Sequence, residues 1–153
     1  MTVDRELTAS ALPTSRKVLC AVYAVIAVAA LIAMCSQNAA YFHAGIGDFG
    51  NRFFADIKTT PASRAITAEN LLLFLAAAVF MVTEARKHGI RWVWAYILGG
   101  ASIAFSVAFP LFLIARESRV GAAAGPQVRV VDTILLAGLA AAFAAMTIWI
   151  DLA

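Results

Sequence analysis

Four apolar runs divide the chain. They are Val18 to Cys35 (continuing more weakly to Phe42), Ile66 to Thr83, Trp92 to Ala115, and Val130 to Ile150. A helix rises about 1.5 Å per residue and the hydrocarbon core of a bilayer is about 30 Å thick, so about 20 apolar residues make one crossing. The pattern predicts an all-α polytopic membrane protein: a four-transmembrane-helix bundle forming a single integral membrane domain over residues 1–153. Crossings are expected at roughly 17–40, 61–87, 91–116 and 129–151.

The first connection, "FHAGIGDFGNRFFADIKTTPASR", carries its own periodicity. Phe49, Phe53, Phe54 and Ile57 fall on one face of a helix, and Asp48, Arg52 and Asp56 recur one turn apart. This predicts a short amphipathic interfacial helix between spans 1 and 2, over about 48–57, with its aromatic face in the membrane interface. Thr60 and Pro61 form an N-cap and first-turn pair for the second span. Gly89 is a fitting terminator at its end.

Small residues mark the packing faces. Gly100, Ala104 and Ala108 repeat every four residues in the third run, as do Gly138 with Ala142 and Ala137, Ala141 with Ala145 in the fourth. Such spacing lets helix backbones approach closely in lipid. Pro110 cannot donate to the carbonyl of Ser106, so a kink in the third span is expected there. Ser102 and Ser106 stand one turn apart and can satisfy loosened carbonyls.

Composition agrees with a lipid solvent. Hydrophobic residues make up 63% of the chain and charged ones 14%, against about 45–50% and about 25% in soluble domains. The net charge of +3 does not point to nucleic acid. The cations sit in small groups between apolar runs, with no basic stripe and no interleaved aromatics. Arg16–Lys17 could flank a cleaved signal, but the apolar stretch after them exceeds the about 7–15 residues of a signal core. A retained anchor is expected. Cys20 and Cys35, about 22 Å apart on one helix, cannot bridge within it.

Orientation is balanced under a four-span reading. Arg5, Arg16, Lys17, Arg86, Lys87 and Arg91 fall on one side, and Arg52, Lys58, Arg64, Arg116, Arg119 and Arg129 on the other. Arg16–Lys17 and "EARKHGIR" are the tightest clusters, which puts both termini on the cytoplasmic side.

Catalytic and metal motifs are missing from the sequence. It has no CxxC, HExxH, phosphate-binding loop or GxSxG elbow. Its two histidines, His43 and His88, belong to connections on opposite faces in the four-span layout. No cofactor and no metal is expected. What remains is polar residues at the span edges. Glu69, Asn70, Arg116, Ser102 and Ser106 form a candidate polar cluster, with Glu69 expected to pair with Arg116 and Arg64 as the rival partner. Asp56, Arg64 and Glu84 are candidate interfacial groups, Glu84 being salted by Arg86 and Lys87. Intramembrane ionisable groups are costly and turn to a bundle interior or a partner.

The block from Phe53 to Glu117 resembles an uncharacterised bacterial family of small four-helix membrane proteins, known as a domain of unknown function. "FFADIKTTPASR", "EARKHGIRWVWAY" and "SVAFPLFLIARE" carry the resemblance. Similar members have an Asp near the start of the second span, where Glu69 or Asn70 stands here. The resemblance implies four helices in the bacterial cytoplasmic (inner) membrane and no established activity. In layout the block is also similar, more loosely, to plastid membrane proteins of carotenoid metabolism.

The function expected is binding. The chain reads as an accessory subunit for a membrane partner or a hydrophobic ligand, with the lipid bilayer, other membrane proteins or further copies of itself as partners. One alternative is a membrane-embedded enzyme on an isoprenoid-type substrate, using Glu69 near the Pro110 kink. Another is a small transporter working as an oligomer, although paired broken helices are not evident.

Overall fold

A computed structural model describes residues 14–42, 46–120 and 130–152. Among them are six helices and no strand: α1 (Thr14–Phe42), α2 (Ile46–Asp56), α3 (Pro61–His88), α4 (Val93–Ser102), α5 (Phe105–Val120) and α6 (Val130–Leu152). Residues Met1–Gly121 form one compact unit and Ala122–Ala153 a second. The second unit contributes α6, an apolar helix with large side chains such as Leu135 and Trp149 exposed. Arg16–Ala39, Pro61–His88 and Val131–Ile150 are long and apolar enough to cross a membrane. His43, Arg5, Arg129 and the Gly125–Pro126 connection lie outside the described residues.

Local chemistry sets the ends of α3. The Thr60 hydroxyl accepts from the Ser63 N–H at 3.0 Å, and the Ser63 hydroxyl accepts from the Thr60 N–H at 3.2 Å. This reciprocal capping box, with Pro61 at the first helical position, satisfies N–H groups that would otherwise be orphaned. At the other end Gly89 adopts φ +64°, and its N–H reaches the Ala85 carbonyl. The Ile90 N–H reaches the same oxygen at 2.9 Å. Trp92 also has positive φ, +65°, although it carries a Cβ; the conformation costs about 1–2 kcal/mol relative to a right-handed one. Gly89 and Trp92 together turn the chain by using two left-handed residues within four.

The segment expected as one third span is two helices. The chain breaks at Ile103–Ala104, between α4 and α5, and folds back on itself. Tyr96 and Phe112 stack edge to face with centroids 5.9 Å apart. In a straight helix their sixteen-residue separation would put them about 24 Å apart. A Cβ placed on Gly100 would lie 3.2 Å from the Ala108 Cβ. The index sum is 208 for both pairs, which is the signature of an antiparallel hairpin centred on Ala104. The small residues Gly100, Ala104 and Ala108 thus pack the two arms of one hairpin together. Gly99 and Gly100 weaken the end of α4. The kink expected at Pro110 is displaced: Pro110 lies inside α5 and is buried, while the break comes six residues earlier.

The hairpin packs against the second half of α3. Phe74 meets Phe105 at 4.7 Å and Phe80 meets Phe109 at 6.2 Å. Index differences of 31 and 29 make α3 and α5 parallel, with α4 antiparallel to both. The core is Met81, Ala85, Ile90, Val93, Ile97 and Phe112. Met81 and Phe112 are wholly enclosed. Helix α1 runs along α5, and its first turn meets the last turn of α5 through Arg16 and Glu117. Those two helices are therefore antiparallel. The start of α1, the end of α3, the start of α4 and the end of α5 share one end of the unit.

Helix α2 forms where the amphipathic segment was expected. Its Phe49 and Phe53 are stacked at 5.9 Å, and each meets Tyr41 of α1 edge on. The aromatic face is thus turned in part toward α1, leaving Phe54 exposed.

Candidate functional site

Neighbouring residues on a helix diverge by about 100°. Arg116 and Glu117 therefore point to different helices. Arg116 continues the stripe of Phe105, Phe109 and Phe112 toward α3, and Glu117 turns toward α1. The Arg116 Nε donates to Glu84 Oε2 at 2.5 Å, and its Nη1 donates to Glu117 Oε1 at 2.8 Å. On the other side, the Arg16 Nη1 lies 3.9 Å from Glu117 Oε2 and donates to the Glu117 backbone carbonyl at 3.3 Å. The result is a chain of alternating charge, Arg16–Glu117–Arg116–Glu84, across α1, α5 and α3.

Glu84 is the terminal hub. Besides Arg116 it has Lys87 Nζ at 3.9 Å and His88 Nε2 at 3.2 Å. The His88 Nε2 is closed off from solvent and is not aligned for a hydrogen bond, so its contact with Glu84 is one of proximity. The Arg16 side chain is 5% exposed and the Glu117 side chain 11%. Burial at this level makes unpaired charge expensive. Glu117 also sits in the last turn of its helix, and Glu84 just before the last turn of its own, toward the negative end of the macrodipole. Two arginines offset both penalties. With so many cations around them, these carboxylates are acceptors already in use, which suits a clasp and does not suit a general base.

The residues expected to form one polar cluster are not brought together. Arg116 is engaged by Glu84 and Glu117. Glu69 and Asn70 are exposed on the first half of α3. The turn at Ile103–Ala104 is level with Phe74, so Glu69 lies beyond the reach of the hairpin. Ser102 and Ser106 flank that turn with exposed side chains. Arg64 donates from Nη1 to the Lys58 carbonyl at 2.9 Å. Asp56 accepts from the Tyr41 hydroxyl at 2.7 Å. That bond holds the Tyr41 phenol above its usual pKa, and the carboxylate's charge acts in the same direction. Glu84 is salted by Lys87 as expected, but its shortest contact is with Arg116.

Arg16 and Glu117 were not among the expected site residues. The signal for Glu117 was its place directly after Arg116 at the end of an apolar run. Arg16 had no such signal, because nothing in the sequence sets the register of α1 against α5.

Two open cavities lie at opposite ends of the unit. One of about 560 Å³ is lined by Gln37, Tyr41, Arg52, Ala55 and Asp56. The other, about 490 Å³, lies at the α3–α4 turn beside Arg86, Arg91, Trp92 and Trp94. Among the described residues no group of three or more His, Cys, Asp or Glu side chains could hold a metal.

Residues 22–118 match the family model described as "Protein of unknown function DUF2834". The chain belongs to this family. No curated protein and no solved structure matches it. The matched region holds the hairpin and the Glu84, Arg116 and Glu117 part of the clasp; Arg16 falls before it.

Proposed function

We propose that this chain is a small integral membrane protein that works by binding, as an accessory subunit whose bare helix faces receive a membrane partner or a hydrophobic ligand. The observation that carries this reading is the exposure of its crossing helices. Only 6% of the apolar window in α1, and the same share in α3, is buried. On α3, Leu71, Leu72, Leu73 and Leu75 are all exposed. Asn70 and the three leucines after it, all exposed, step around the helix at about 100° each, so at that height α3 is uncovered all round. In water such a surface would aggregate. In a bilayer it can meet lipid tails or another helix. The charged clasp then has a supporting role: it fixes α1, α3 and α5 at one end while leaving the other end of α3 open.

The enzyme alternative required Glu69 beside the Pro110 kink. By the register of α3 against α5, Pro110 is level with about Phe80, roughly 15 Å along the helix from Glu69. That separation supports binding over chemistry at this pair.

Native mass spectrometry of the protein released from its own membranes tests the reading. A complex of fixed stoichiometry, with another membrane protein or with further copies of the chain, is the expected result. A monomer that carries no partner and no retained hydrophobic molecule would sink it.

A further inference from the structure

We propose that the α4–α5 hairpin is re-entrant: it enters the bilayer at the face where α3 ends, turns near mid-depth, and leaves by the same face, which lies against the anionic headgroups of the cytoplasmic leaflet. The inference rests on the membrane reading above and extends it to the topology of this unit and to the surface it meets.

Three observations carry it. The first is depth. Helix α4 has 10 residues, about 15 Å of rise, which is half a hydrocarbon core. The turn at Ile103–Ala104 is level with Phe74, midway along Pro61–His88. A helix pair of this length reaches the middle of the membrane and no further.

The second is the turn itself. Non-helical backbone at membrane depth is tolerated only where its polar groups find partners. This turn closes part of its own backbone, and the lack of any wider loop keeps the number of exposed groups to those of two helix ends. The Ile103 N–H donates to the Gly99 carbonyl at 2.9 Å. The Ala104 carbonyl accepts from the Val107 N–H at 3.2 Å and from the Ala108 N–H at 3.1 Å. Ala104 is buried between the arms. The reversal is therefore compact: it takes two non-helical residues, and the Ala104 carbonyl and the Ile103 N–H are both paired.

The third is charge. With a crossing third span, the cations of the chain divide evenly between the two faces. With the hairpin, the end of α5 returns to the face where α1 begins and α3 ends. Among the described residues, that face then holds Arg16, Lys17, Arg86, Lys87, Arg91, Arg116 and Arg119, against Arg52, Lys58 and Arg64 on the other: seven to three. Cytoplasmic faces carry the excess of Lys and Arg. Arg16 and Arg116 are taken up by the clasp. Lys17, Arg86, Arg91 and Arg119 are exposed, as is Lys87 beside Glu84, and on this face they meet anionic lipid, which attracts juxtamembrane cations. Trp92 and Trp94, both exposed, stand at the entry of the hairpin, at the level where indole rings favour the interface.

The test is sidedness of labelling in intact bacterial cells. Lys58→Cys, Arg91→Cys and Arg119→Cys are made singly, with Cys20 and Cys35 replaced by Ala, and treated with a membrane-impermeant maleimide. The expected result is that Lys58→Cys reacts from outside, and that Arg91→Cys and Arg119→Cys react only after permeabilisation. Reaction of Arg119→Cys from the same side as Lys58→Cys overturns the hairpin, because a crossing segment would separate Arg91 from Arg119. Reaction of Arg91→Cys and Arg119→Cys from outside, with Lys58→Cys protected, overturns the cytoplasmic placement. Reaction of Lys58→Cys and Arg91→Cys from one side overturns the crossing by α3, and with it the membrane reading itself. A variant that fails to accumulate is covered by the unaltered chain. Trypsin added to inside-out vesicles should cut after both Arg91 and Arg119, and trypsin added to right-side-out vesicles should cut after neither.

Discussion

The two halves of α3 are alike in composition and opposite in fate. From Phe74 onward the helix is half-covered: Met81 and Ala85 are buried, and Glu84 is tied to Arg116. Before Phe74 it is bare, with Glu69, Asn70 and three leucines exposed. The difference is the reach of its neighbour. A full crossing would have covered α3 from end to end, whereas the hairpin turns back at Ile103–Ala104 and covers only the second half. A carboxylate at the end of α3 thus finds an arginine, and one near its start does not. Burial along an apolar helix is decided by the length of what packs on it, and hydropathy alone carries no record of that length.

The largest effect should come from taking the clasp apart on the covered half. Arg116→Ala leaves Glu84 and Glu117 in a poorly hydrated site with one cation fewer. Removing one partner of a buried pair costs about 3–5 kcal/mol. The Arg116 side chain is 28% exposed, so the lower end, about 3 kcal/mol, is expected. Reversible unfolding in mixed micelles measures it. Glu84→Arg with Arg116→Glu should recover much of the loss of either single change.

Next in size is Phe112→Ala, at the centre of the hairpin. In a soluble core such a truncation costs about 3–5 kcal/mol, of which part is transfer to water and part is the cavity. Lipid tails are as apolar as the core, so the transfer part falls away. About 2 kcal/mol is expected from the cavity and the lost contact with Tyr96. Measured stability equal to that of the unaltered protein would mean that the two arms are not packed together.

Smaller again is Gly100→Ala. The new Cβ would stand 3.2 Å from both the Ala108 Cβ and the Phe105 ring. Phe105 is half-exposed and can turn aside, but Ala108 is fixed in α5. A loss of about 1 kcal/mol follows, at the low end for overpacking. In a straight third span the same change would be neutral or would raise helix stability, since Ala favours helix by about 1 kcal/mol over Gly. The sign of the effect therefore separates the two geometries without any label.

Much of this architecture was legible in the sequence, for identifiable reasons. The capping box at Thr60 and Ser63, the Gly89 terminator and the helix over Ile46–Asp56 are local, and local chemistry is written in adjacent residues. The hairpin was not legible. "RWVWAYILGGASIAFSVAFPLFLIAR" is as apolar and as long as a crossing, and Pro110 is a stronger helix breaker than Gly99–Gly100. A third run read as one crossing, kinked at Pro110, runs antiparallel to the second span, and that register sets Arg116 against Glu69 instead of Glu84. The index difference between Arg116 and Glu84 is 32, close to the 31 of Phe74 with Phe105. One mistaken reversal thus moved the expected partner by fifteen residues. Charge held a clue: an even split of cations across two faces is unusual for a chain with a preferred orientation, and folding the third run back removes it.

The smallest effect is expected on the bare half of α3, and it sharpens the comparison because it should be nearly nothing. Glu69→Gln removes the charge and keeps the shape. Glu69 is exposed and lies five residues before Phe74, where the hairpin ends. Arg64, one turn earlier, is held by the Lys58 carbonyl. Position 69 is also eight residues from the capped start of α3, about 12 Å along the helix. There a long carboxylate can lean toward its own helix N-terminus and reach the interface. A charge near the edge of a span costs less than the about 2.5–3.5 kcal/mol of one at its centre, so neutralising it should change stability by no more than about 0.5 kcal/mol. The unfolding midpoint in mixed micelles should match the unaltered protein, while Glu84→Gln, in the same helix and of the same chemistry, should lower it clearly. A loss for Glu69→Gln as large as that for Glu84→Gln would mean that a second structure covers the first half of α3, and the division of this helix into a covered and an open half would fall.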